Sequence, residues 1–343
     1  MSEALAVKYR PKTWDDVCEQ SEIKDILTNQ LKANEIKHGY LFTGPAGCGK
    51  TTAARIFAND INKGVGKPIE MDAASNNSVD DIRRLIEDAQ TKSIEGEYKI
   101  FIVDECHMIT PAGWNAFLKT LEEPPALSIF ILCTTNPEKI PQTILSRVQR
   151  YNFKKISQKG IVDRLKWIIV EENQGRYIDD LDHFSYDALE YIAKMANGGM
   201  RDAITLLDKA LSYSNDLTLE NVTKALGVAD YSVLLDLTKK VSNNIKSDVI
   251  RSLEEVYASG IDLKLFIKQY FEFILDLTTY SLTKSANTAY LPAAYIAEAA
   301  NFSYDFLVKF LDFLCDLNYS LKYEQSPKYV VIAKFILFME GSK

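Results

Sequence analysis

Residues 44–52 read GPAGCGKTT, three glycines and one lysine within nine positions. The run Gly44, Pro45, Ala46, Gly47, Cys48, Gly49, Lys50, Thr51 matches G-x-x-x-x-G-K-[ST] in full, and Thr52 follows it. An apolar stretch precedes the loop and a helical pattern, KTTAARIFAND, continues from it, which is the setting that gives the motif meaning. Backbone N–H groups in a loop free of bulky side chains, running into a helix N-terminus, point at phosphate oxygens. Lys50 would reach the β and γ phosphates and the Thr51 hydroxyl would hold magnesium. A glycine-rich turn that happens to precede Lys-Thr is the bland alternative, and the flanking strand and helix argue against it.

A second chemical cluster lies at residues 99–107, KIFIVDECH, a buried-strand pattern that ends in two carboxylates. Asp104 at the strand's carboxyl end would hold the water shell of a magnesium ion, and Glu105 would orient and polarise an attacking water. Cys106 and His107 beside them form no ligand set and read as structural. The D-E-x-H spelling also occurs in helicases, which use two tandem ATPase cores, but no second strand-rich half follows residue 155. Thr135, in CTTNP, would stand beside the two acids if the third and fourth strands are neighbours, and its hydroxyl would then hold the lytic water or sense the γ phosphate. A threonine that simply ends a strand is the plainer reading. Ser146-Arg147 precedes the fifth apolar run, where a solvated surface arginine is the usual explanation.

The elements that must position these groups follow from periodicity. Through residue 155 short apolar runs (GYLFTG, PIEMDA, KIFIVDE, SIFILCTT, VQRYNF) alternate with helical patterns, which predicts an α/β fold with a parallel five-stranded sheet covered by helices. TPAGWNAFLKTLEEPP predicts a helix capped by Thr110, opened by Pro111, with Trp114, Phe117, Leu118 and Leu121 on one face. After Ser157, a second cap, helices take over, and Gly198-Gly199 end one of them. LFIKQYFEFILDLTTYSL and YDFLVKFLDFLCDLNYSL are apolar around much of the helix and must bury more than one face, inside a bundle or against other subunits.

Bulk properties set the bounds. A chain of 343 residues with 47% hydrophobic content is long enough for two or three packed domains. No apolar run approaches a membrane span and the N-terminus lacks the order of a secretory signal, so a cytoplasmic protein without membrane partners is expected. Five scattered cysteines fit a reducing compartment and give no metal spacing. A net charge of −7 argues against a general basic surface, while leaving room for one local groove that holds nucleic acid.

KYRPKTWDDV, GPAGCGKT, IVDECHM, NAFLKTLEEPP, CTTNPEKIPQTILSR and GGMRDAITLLD occur in the order found in clamp-loader ATPases. Over about residues 5–212 the chain resembles the bacterial DNA polymerase III gamma/tau family and, more distantly, replication factor C small subunits; residues 213–343 agree only in length and helical character. The resemblance implies an AAA+ ATPase with a Rossmann-like P-loop core (1–155), a helical lid (156–214) and an all-helical collar that oligomerises (215–343). It implies ATP and Mg2+ as ligands, a five-subunit ring with other loader subunits, and a sliding clamp held open on primer-template DNA until hydrolysis releases it. Arg147 resembles the arginine that reaches the adjacent subunit's ATP, and Arg201 the lid arginine on the subunit's own nucleotide. Tyr9, Arg10, Pro11 and Val17 resemble the segment around adenine.

By the same resemblance Lys119 and Lys139 face the DNA backbone, adding counterion release without reading sequence. By the resemblance the loop of Ser75, Asn76, Asn77 and Ser78, leading into a helix whose free N–H groups could bind phosphate, is a candidate DNA contact through Ser75, Asn76 and Ser78, although many relatives carry basic residues there and Asp80 and Asp81 would oppose an anion. Only NDINKGVGKP stands where bacterial relatives insert a four-cysteine zinc module, so no zinc is expected; with no extended tail after residue 343, a compact bacterial or bacteriophage version is implied. Two other classes compete: a scaffold subunit that binds ATP without turnover, and a DNA-remodelling AAA+ motor of the branch-migration helicase type.

Overall fold

The computed structural model describes residues 3–172, 184–284, 291, 293–322 and 324–341. Internal contacts divide the chain into two units, Met1–Ile178 with Ile192–Asp208, and Asp179–Tyr191 with Lys209–Lys343. In the first unit β1 (Gly39–Thr43), β2 (Ile69–Asp72), β3 (Lys99–Asp104), β4 (Ser128–Thr134) and β5 (Gln149–Asn152) form one parallel sheet in the order β2-β3-β4-β1-β5. The five apolar runs are therefore the five strands. β1 and β4 are buried at every residue, as strands covered on both faces must be.

Alternation splits the strand side chains into two cores. Tyr40, Phe42, Ile102 and Ile131 pack with Leu27 of α1 (Ser21–Ala33) and Phe57 of α2 (Lys50–Ile61). Leu41, Phe101, Phe130 and Leu132 pack with Ile82 of α3 (Val79–Ala89) and with Trp114 and Phe117 of α4 (Pro111–Glu122). The Thr110 hydroxyl caps α4 by accepting from Gly113 N–H at 3.2 Å, and Pro111 in its first turn has no N–H to leave unpaired. Ser157 likewise receives Gly160 N–H at 3.0 Å at the start of α5 (Gln158–Glu172).

This strand order gathers the chemistry at one edge. Thr43 lies opposite Thr134 and Val103 opposite Leu132, so β1, β3 and β4 end together. Ligands of open α/β sheets bind beyond such carboxyl ends. β3 and β4 are direct neighbours, the condition on which the placement of Thr135 depends. Two further helices, α6 (Tyr186–Met195) and α7 (Met200–Tyr213), are separated by a turn in which Gly198 takes φ +88°.

The second unit is helical from α8 (Leu219–Leu226) through α9 (Tyr231–Ser242), α10 (Lys246–Ala258), α11 (Leu263–Thr283), α12 (Tyr304–Leu321) and α13 (Pro327–Gly341). α11 buries Phe266, Ile267, Tyr270, Phe273, Ile274 and Leu277, more than a single stripe, as its composition requires. Gln269, buried beside them, donates to Tyr191 Oη and Ala229 O and accepts from Ala229 N–H, so its amide is satisfied. α12 differs. It buries one stripe (Leu307, Phe310, Leu314, Leu317, Leu321) and leaves Tyr304, Val308 and Tyr319 exposed. Among the described residues no helix is long and apolar enough to cross a membrane.

Candidate functional site

The loop after β1 is shaped by backbone that only glycine tolerates. Gly44 takes φ +144°, and a Cβ there would stand 2.4 Å from the Phe153 carbonyl oxygen. Gly47 takes φ +71°, with a notional Cβ 2.9 Å from Gly199 Cα, and its carbonyl accepts Met200 N–H at 3.0 Å. Gly49 takes φ +99° at the N-terminus of α2, opens onto space that no atom fills, and supplies no side-chain cap. The first-turn amides of α2 therefore keep donors that no helix can satisfy internally.

Lys50 is 6% exposed, and its ammonium donates to the carbonyl oxygens of Gly44 at 2.8 Å and Pro45 at 2.7 Å. The Thr51 hydroxyl donates to Asp104 Oδ2 at 2.7 Å, which joins the loop to the end of β3. Asp104 Oδ1 in turn accepts Glu105 N–H at 3.0 Å. Glu105 has a left-handed backbone, φ +45°, which is strained for a residue with a side chain, and its Oε2 accepts from the Thr135 hydroxyl at 3.0 Å. The sheet thus brings together Lys50, Thr51, Asp104, Glu105 and Thr135.

A cleft of about 300 Å³ is lined by Ala46 to Thr52 along the loop and by Asp104 and Glu105, while Thr135 is not on its lining. Tyr9, Arg10, Pro11 and Val17 form part of its wall, and so does Arg201 from the second residue of α7. Arg201 has no ion-pair partner among the described residues, which leaves its guanidinium available to an anion. Gly44 and Pro45 are not on the lining; they serve as acceptors for Lys50.

Arg147 is also absent from that lining. It sits just before β5, pairs with Glu122 at the end of α4, and donates to Ser146 Oγ at 3.0 Å. Lys119 and Lys139 are exposed and carry no ion pair among the described residues. The loop before α3 is already engaged: Ser78 donates to Asp81 Oδ2 at 2.6 Å and accepts from Asp81 N–H, and Asn76 donates to Asp72 O. Asp81 thus folds back over the helix N-terminus that an anion would use, and Ser75 stays exposed beside it.

Sequence reasoning passed over part of the wall. Arg164 of α5 lies on the cleft, donates to the Tyr9 carbonyl at 3.2 Å and stacks 4.1 Å from the Trp167 ring. Burial holds its pKa below the usual arginine range, against the opposing pull of Asp16. A lone arginine in a helical pattern gave no signal, because its hydrogen-bond partner Tyr9 lies 155 residues away in sequence. The Cys48 thiol donates to Pro45 O at 2.9 Å and burial raises its pKa, so it acts here as a packed loop residue.

The site fits a triphosphate with a hard divalent cation. The first turn of α2 has amides without a side-chain cap, Lys50 lines the same cleft, and a hydroxyl and a carboxylate 2.7 Å apart are oxygen donors of the type magnesium takes. The chain is 38% identical over 300 residues to DNA polymerase III subunit tau of Bacillus subtilis (strain 168), across 81% of this chain and 52% of that one. Three family models match it in succession: the DNA polymerase III delta subunit at residues 67–157, the ATPase lid domain of the DNA polymerase III clamp loader subunit at 161–216, and domain III of subunits gamma and tau at 217–318.

The chain belongs to the clamp-loader AAA+ family. A second relative, DNA polymerase III subunit gamma/tau of Mycoplasma genitalium, is 31% identical over 338 residues, 91% of this chain and 55% of that one. The chain spans about half the length of the curated relatives it matches. Among solved structures, the Thermotoga maritima RuvB Holliday junction branch migration motor resembles this chain with TM-score 0.51 at 19% identity, covering 76% of this chain and 90% of that one. That likeness is one of fold alone.

Proposed function

We propose that this chain is an ATPase subunit of a DNA sliding-clamp loader, in which ATP binding opens and holds the clamp on primer-template DNA and hydrolysis releases it. One observation carries the reading: Lys50, Thr51, Asp104, Glu105 and Arg201 share a cleft while Arg147 lies outside it, tied to Glu122. A cleft from which Arg147 is absent suits completion of the transition-state charge by the Arg147 of a neighbouring copy or subunit. The family matches meeting near residues 160 and 216 support the division into core (1–155), lid (156–214) and collar (215–343).

In this mechanism the α2 amides and Lys50 bind the β and γ phosphates, and Arg201 binds the same nucleotide from α7. Thr51 and Asp104 would hold Mg2+, which supplies charge neutralisation at the phosphate oxygens. Glu105 accepts a hydrogen bond from water and orients it, with Thr135 fixing one of its oxygens. Tyr9, Arg10, Pro11 and Val17 enclose the base. The neighbour's Arg147 spreads its charge over the transferring phosphoryl group. No covalent intermediate is needed, only position and charge.

Lys119 and Lys139, both exposed and without ion pairs among the described residues, support backbone contact with DNA. The capping box at Ser78 favours Ser75 and Asn76 over Ser78 as contacts from that loop. The uncovered apolar side of α12 supports a collar that packs against other subunits of a five-membered ring. A cytoplasmic site of action accompanies this role, and no zinc is invoked.

ATP turnover measured with clamp and primer-template DNA, added separately and together, tests the reading. Synergy between the two supports loading; indifference to both refutes it. Arg147→Ala subunits are expected to bind ATP normally yet depress turnover in wild-type neighbours by about 10³-fold, and full support of those neighbours would remove the trans assignment. Glu105→Gln separates a hydrolysing subunit from an ATP-binding scaffold, whose behaviour it would leave unchanged.

A further inference from the structure

His107 follows Glu105 by two residues, and its side chain is 8% exposed. Its Nδ1 lies 3.2 Å from Glu105 Oε2 and 3.1 Å from Thr134 Oγ1, and its Nε2 lies 3.3 Å from Asn136 Nδ2. Thr134 Oγ1 also accepts Asn136 N–H at 3.0 Å. The ring thus spans the end of β3 and the end of β4.

An ionised carboxylate only accepts, so a hydrogen bond to Glu105 requires the proton on Nδ1, within reach of Thr134 Oγ1 as well, and makes Nε2 the acceptor for the Asn136 amide. Glu105 Oε2 accepts from the Thr135 hydroxyl and lies 3.2 Å from His107 Nδ1, while Oε1 has no partner among the described residues. One oxygen is anchored and the other is left for the cleft that Glu105 lines.

We propose that His107 is a positioning residue for hydrolysis: its ring fastens the Glu105 carboxylate to Thr134 and Asn136, so that the free oxygen is held toward the attacking water. The left-handed backbone at Glu105 gives this a reason, since a side chain leaving a strained turn is aimed by its partners and by no regular element. The proposal rests on the reading of Glu105 as the group that orients water.

The test uses the full-length chain at the protein concentration that gives its highest specific ATP turnover, with binding of a fluorescent ATP analogue measured in parallel. His107→Ala is expected to lower kcat roughly tenfold or more, short of the full loss of a positioned base, while analogue affinity stays within about twofold. His107→Asn, whose amide nitrogen can take the place of Nδ1–H, is expected to restore most of the rate. In a Glu105→Gln background His107→Ala is expected to have no further effect. The proposal is overturned if affinity and turnover fall together in both His107 variants, if Asn rescues no better than Ala, or if the loss is equally large in the Glu105→Gln background. Failure of the underlying reading looks different: Glu105→Gln would itself turn over ATP at the wild-type rate.

Discussion

The sheet unit and the helical unit hold their structure by different means. In the first, the decisive positions are few and polar: Gly44 and Gly47, which admit no Cβ, and the chain of hydrogen bonds from Thr51 through Asp104 to Glu105 and Thr135. In the second, the weight is spread over aromatic volume. Phe310, fully buried, meets Tyr270, Phe306 and Phe335 at centroid distances of 5.3, 5.5 and 6.2 Å. The difference teaches that chemistry concentrates where backbone geometry is special, whereas packing tolerates many residues of similar size.

Substitutions can sharpen or break that contrast. Phe310→Ala should have the largest effect, about 3–5 kcal/mol of stability from lost contacts and a cavity, with nucleotide affinity per folded molecule unchanged; denaturant unfolding and analogue titration read the two separately, and a parallel loss of affinity would collapse the distinction. Lys50→Met should leave unfolding near wild type and lower turnover about 10²–10³-fold, as steady-state ATPase rates will register. Gly44→Ala should fall between the classes, destabilising the sheet unit by about 1–3 kcal/mol through overlap with Phe153 O and weakening nucleotide binding in the same step.

The smallest effect concerns α3. The Ser78 hydrogen bond holds the Asp81 carboxyl below the usual carboxylate range. A depressed folded-state pKa contributes stability that is present above the unfolded value near 4 and disappears as pH falls through the lowered one. Amide protection in the first turn of α3, after correction for intrinsic exchange, should therefore fall in acid, and Asp81→Asn should abolish that pH dependence.

Local signals carried much of this molecule. Gly44–Thr51, the five strands, and the caps at Thr110 and Ser157 depend on φ/ψ preferences and periodicities a few residues long, so they can be read directly from neighbouring residues. Thr135 needed one tertiary fact, the pairing of β3 with β4. Arg164 and His107 gave no comparable warning: one meets its partner across 155 positions, and the other gains its role from Thr134 and Asn136 on the adjacent strand.

The amino-acid order alone thus determined which backbone segments exist and where a phosphate loop must lie, because glycine stereochemistry and hydrophobic alternation act within a turn or a strand. Folding in three dimensions decided the rest: that Tyr9, Arg164 and Arg201 wall the same cleft, that Arg147 stands apart from it beside Glu122, and that α12 keeps one apolar side uncovered. Those outcomes depend on strand order and on long crossovers, and no short window of sequence encodes them.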